Sequence, residues 1–137
     1  MTMPADSGPD TTASTALSGP GLDVVVADFE GGVYVCSLTG DLDGDTLPPA
    51  ARALGDLLDR RPAALVVDLA GVGFCDSSGL NLLLRTRLAA GKAGTALHLA
   101  AAPPGVMRVL ELTGAQSVFS LHPSVEAALP NRNRVPE

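Results

Sequence analysis

The sequence predicts an α/β domain built on a mixed β-sheet, and two observations carry the prediction. Val24-Val25-Val26-Ala27 and Val33-Tyr34-Val35-Cys36-Ser37-Leu38 are β-branched runs on either side of Glu30-Gly31-Gly32, which is a hairpin signal. From Leu47 onward, helical periodicity alternates with short apolar runs, as it does when parallel strands are joined by helices. The pattern amounts to about five strands and about four helices in one domain.

Residues 1–21 are rich in Thr, Ser, Pro, Gly and Ala and hold too little apolar area to order themselves, so a disordered arm is expected there. The domain itself is expected over 22–129, with a flexible polar tail over 130–137. Thr39-Gly40-Asp41-Leu42-Asp43-Gly44-Asp45 reads as a polar loop after the hairpin. Leu47, Ala50, Ala51, Leu54, Leu57 and Leu58 then share one helical face. Thr46 is placed to cap that helix, Pro48-Pro49 suit its first turn, and Pro62 ends it.

Ala64 to Leu69 is apolar on both faces, the mark of a covered central strand, and a glycine-containing turn is expected over 70–74. Leu80, Leu83, Leu84 and Leu88 make the inner stripe of a second helix that ends near Gly91. A strand over Ala96 to Ala100 follows, then a third helix from Val106 to Leu112 closed by Gly114. Val118-Phe119 reads as a short strand and Ser124 to Leu129 as a last helix.

Composition narrows the function. The 137 residues are 46% hydrophobic but only 3% aromatic, so the core must be aliphatic. A net charge of −6, with Lys92 the sole lysine, lacks the basic footprint that nucleic acid or an anionic membrane requires. No apolar run approaches the roughly 20 residues that span a bilayer, and the first residues lack the pattern of a signal peptide. A monomeric, cytoplasmic chain with protein or small-ligand partners is expected. Cys36 and Cys75 lie in strand-like runs and read as small buried hydrophobes rather than as a disulfide.

The densest chemistry sits at Asp76-Ser77-Ser78-Gly79, where the leucine-rich helix begins. Asp and Ser are preferred N-cap residues, so a plain cap explains part of it. It does not explain two adjacent hydroxyls, nor Gly79 in the first turn, which costs about 1 kcal/mol of helix propensity. A phosphate here would gain about 0.3–1 kcal/mol from the helix N-terminus and be opposed by Asp76. The fold should therefore tolerate phosphorylation, whereas a partner resting on this corner would meet a new charge of about −1.5 to −2.

Phe74-Cys75-Asp76-Ser77-Ser78-Gly79-Leu80 resembles the F-x-D-S-S-G-L signature of the STAS domain, specifically of bacterial anti-sigma-factor antagonists. Leu38-Thr39-Gly40-Asp41-Leu42-Asp43 is similar to the family's L-T-G-E-L-D. Val66-Val67-Asp68-Leu69 and Val106-Met107-Arg108-Val109-Leu110-Glu111-Leu112-Thr113-Gly114 resemble its preceding strand and a later helix, so the likeness covers about Leu22 to Leu129. Ala70-Gly71 departs from the polar residues usual in that turn.

The resemblance implies a partner-switching regulator with the STAS fold and no cofactor. The unphosphorylated antagonist would bind an anti-sigma factor, a serine kinase with a histidine-kinase-like ATPase fold, and so free a sigma factor. The kinase would phosphorylate Ser77, and a PP2C-type phosphatase would reverse it. By the same implication Asp43 and Asp76 belong to the polar rim around the acceptor, and Ser78 and Gly79 to the contacted helix start. A STAS scaffold or sensor component that works without phosphorylation keeps the same fold.

Rival chemistries fit less well. A receiver domain phosphorylated on Asp68 needs a lysine after a late strand, and Lys92 comes too early. A hydrolase elbow needs G-x-S-x-G, but Cys75 stands at the first glycine position, and neither His98 nor His122 is placed as a base. Asp41, Asp43 and Asp45 do not match a calcium loop.

Overall fold

The computed structural model describes residues 22–44 and 46–129, together with the backbone of 14–19. Its strands are β1 (Ser14–Gly19), β2 (Leu22–Phe29), β3 (Val33–Leu42), β4 (Ala64–Cys75), β5 (Ala96–Ala100) and β6 (Ser120–His122). Its helices are α1 (Leu47–Asp59), α2 (Ser77–Ala93), α3 (Pro104–Thr113) and α4 (Val125–Ala128), with a 3-10 turn at Ala115–Val118.

The strands lie in the order β1-β2-β3-β4-β5-β6. β1, β2 and β3 pair antiparallel, and β3 through β6 pair parallel, so the sheet is mixed and opens with the expected hairpin. Each parallel step moves the same way across the sheet. Right-handed crossovers that all step in one direction put their helices on one face. The larger core accordingly joins α1, α2 and α3 to one side of the sheet through Leu54, Leu83 and Leu110. The other face is closed by α4, with Ala128 and Leu129 over Val33, Val35 and Val66. β4 lies between them, and Leu65, Val66, Val67 and Leu69 are all fully buried.

Six expectations are corrected. The disordered arm expected over 1–21 contains β1, paired along its whole length with β2, which accounts for a sixth strand; the rest of that arm and the tail expected over 130–137 lie outside the described residues. The turn expected over 70–74 is strand, because β4 runs on to Cys75. β4 carries extra residues against β3, with register shifts between Ser37 and Thr39 and between Gly40 and Asp41. Gly71 serves this close approach, since a Cβ there would lie 2.6 Å from Thr39 Oγ1. The polar loop expected over 39–45 shrinks in the same way, with Thr39 to Leu42 completing β3.

The other three concern helices and the last strand. Leu88 is exposed, and Leu82 is buried instead, because α2 packs against α1 as well as against the sheet and so buries a second side. Val118-Phe119 is not a strand; the chain makes a 3-10 turn first and pairs only from Ser120. Thr46 precedes α1 but makes no side-chain cap. Its hydroxyl instead donates to Asp41 O at 2.7 Å and accepts from Asp43 N at 3.1 Å, tying the β3–α1 loop together.

Candidate functional site

The carboxyl ends of β3 and β4 meet at one corner. Leu42 and Cys75 are register partners, and Asp76 N donates to Leu42 O at 3.3 Å. Asp43 and Asp76, each the next residue along, are thereby brought side by side. Asp76 is the N-cap of α2, and its Oδ1 accepts from Ser78 N at 2.9 Å and Gly79 N at 3.1 Å. Two of the amides open to an anion at the helix start are thus already taken by the capping carboxylate.

Ser77 follows as the first residue of α2, exposed, and its hydroxyl makes no hydrogen bond among the described residues. Ser78 is half-buried beside it. Gly79 has a packing role at this corner. It is buried, and a Cβ there would stand 2.7 Å from Leu42 O and 2.9 Å from Cys75 Sγ. It is the place where α2 presses onto the end of β3, so it sets the corner's shape.

Phe74 is a site residue that sequence reasoning passed over. It pairs with Asp41 across β3–β4 and is 53% exposed, three residues before Ser77. The bulge at Gly73 breaks the strand alternation and leaves this ring in solvent. The signal available was an aromatic beside glycine in a chain with very few aromatics.

The thiols are inert by placement. Burial pushes Cys36 up to about 12 and Cys75 up to about 11, with Asp68 and Asp76 respectively adding to it. Asp68 lies in the middle of β4, accepting from Ser37 Oγ at 3.1 Å and from Ala70 N at 3.0 Å. A receiver domain has parallel strands in the order 2-1-3-4-5, so the sequential order found here overturns that reading. His98 pairs with Val66, about 30 Å of strand length before Cys75. Its Nδ1 lies 3.0 Å from Nε2 of His122, so the two rings serve each other. His98 is lowered below the usual histidine value by burial and then by His122. Neither can act as a base for Ser77. Among the described residues no three His, Cys, Asp or Glu side chains group to hold a metal; Asp45 lies outside those residues.

Residues 25–123 match the family described as Mlab, STAS domain. The chain belongs to the STAS domain family. It is 33% identical over 116 residues to the anti-sigma-F factor antagonist RsfB of Mycobacterium tuberculosis, covering 82% of this chain and 92% of that one. Among solved structures, an anti-sigma factor antagonist from Mycobacterium paratuberculosis superposes with a TM-score of 0.70 at 34% identity, over 89% of this chain and 94% of that one. The antagonist SpoIIAA in its unphosphorylated form gives 0.67 at 20% identity, over 82% and 98%, which is a likeness of fold. The STAS fold thus places a capped, hydroxyl-bearing helix start at the carboxyl ends of two parallel strands.

Proposed function

We propose that this STAS domain is an anti-sigma-factor antagonist whose unphosphorylated form binds an anti-sigma factor and so releases a sigma factor. In this reading the anti-sigma factor is a serine kinase of the histidine-kinase-like ATPase type, which phosphorylates Ser77 and ends the complex. A PP2C-type phosphatase restores it. The chain is a cytoplasmic binding partner and a substrate, not an enzyme. The names of its relatives support the antagonist role. The observation that carries the switch is Ser77 itself, an exposed hydroxyl without a hydrogen-bond partner among the described residues, directly after a carboxylate that already caps the helix.

The capping geometry decides where the charge of a phosphate would be felt. Asp76 occupies the Ser78 and Gly79 amides, so a phosphate on Ser77 gains little from the helix start and is repelled by its neighbour. It must project into solvent, where it leaves the fold unchanged. A partner seated over Asp43, Phe74, Asp76 and Ser78 would have to desolvate or pair a charge of about −1.5 to −2. The same modification is therefore tolerated by the domain and rejected by the interface.

Incubation with its kinase and ATP, followed by intact-mass and fragment analysis, should place one phosphate on Ser77. A phosphate on Ser78 alone, or none, would contradict the assignment.

A further inference from the structure

Away from the Ser77 hydroxyl, the seam between α1 and α2 opens into a groove of about 390 Å³. That lies within the size range of small-molecule sites. Its floor is aliphatic, formed by Leu47 and Leu54 from α1 and Leu82 from α2, and none of the described lining residues is aromatic. A flat ring such as a nucleobase would find nothing to stack on. A flexible alkyl chain fits such a floor.

One rim is polar. Ser78, Asn81 and Arg85 lie at i, i+3 and i+7 on α2, a single stripe of about 10 Å. Their side chains make no hydrogen bond or ion pair among the described residues, and none of the described lining residues is acidic. On a chain with net charge −6, this is a local cation without a counter-charge among the described residues. Gly55 on α1 keeps the opposite wall low, since a Cβ there would meet nothing within 4 Å.

We infer that the α1–α2 groove binds a small amphipathic monoanion, its straight alkyl chain along Leu47, Leu54 and Leu82 and its carboxylate at Arg85. The inference rests on the groove alone and stands whether or not Ser77 is phosphorylated. Because Ser78 lines both the groove and the corner, a bound ligand would adjoin the partner surface.

Titration of the full chain with sodium decanoate below its micelle concentration, followed by ¹H–¹⁵N NMR, tests it. Saturable shifts should map to α1 and the outer stripe of α2, with butyrate producing none. Arg85→Gln should weaken decanoate about fivefold, the scale of one exposed ion pair, and leave decanol unchanged. Gly55→Leu should abolish binding of both while melting no lower than the parent, because leucine favours the helix and points into open space. Absence of saturable shifts, shifts confined to the α4 face, or unaltered decanoate binding in either variant would overturn the inference.

Discussion

The Asp76 carboxylate accepts the Gly79 amide at 3.1 Å, so the acid of the Asp-Ser-Ser-Gly corner is a structural cap before it is anything else. Its Oδ1 holds the Ser78 amide as well. Asp76→Ala should cost about 1 kcal/mol of stability, the usual worth of an N-cap. Asp76→Asn, which keeps an acceptor, should cost less. Urea denaturation of the three proteins measures both.

Two glycines in the same helix should respond with opposite signs. A Cβ at Gly79 would collide with the backbone oxygen of Leu42, which cannot rotate away. Gly79→Ala should therefore destabilise by about 1–3 kcal/mol despite alanine's better propensity. Gly91 has nothing within 4 Å, and Gly91→Ala should stabilise by about 0.5–1 kcal/mol. Thermal melts that move the same way for both would contradict the packing described at the corner.

The paired histidines give a pH dependence. His98 is held neutral by burial and by His122, so its pKa in the folded state is below its value in the unfolded chain. The unfolded state then binds more protons, and stability is fully present above about pH 6.5 and falls as pH drops through that value. The loss of melting temperature between pH 7.5 and 5.5 should be smaller in His98→Gln than in the parent. An equal or larger loss would contradict it.

Much of this was legible beforehand because it rests on short-range rules. The β-branched runs around Gly31-Gly32 gave the hairpin, stripes of leucine gave α1 and α2, and the stop at Gly114 gave the end of α3. What escaped depends on contacts between segments distant in sequence. β1 lacks the composition of a strand and exists by pairing with β2. Gly71 and Gly73 imitate a turn, yet they are the extra residues and close approaches that let β4 continue against β3. At the site, the Asp-Ser-Ser-Gly string located the corner. The division of labour within it was not legible: Asp76 caps, Gly79 packs, and Ser77 is left facing solvent. The exposed ring of Phe74 follows from a bulge whose one local sign is the glycine before it.

Phe74 should be an interface anchor with little structural role. It is 53% exposed beside Ser77, so Phe74→Ala should change stability by no more than about 0.5 kcal/mol. Affinity for the anti-sigma factor should fall roughly tenfold, as it does when a buried aromatic anchor is lost. Calorimetry on the free chain and on the complex separates the two effects.

The switch is tested most directly by measuring the affinity of the anti-sigma factor kinase for this chain with and without a phosphate on Ser77. Binding should be tight for the unmodified chain and for Ser77→Ala, and at least roughly tenfold weaker for the phosphorylated chain. Ser77→Glu should fall on the weak side. Equal affinity of the phosphorylated and unphosphorylated forms would contradict the proposal that the charge at Ser77 governs the partner.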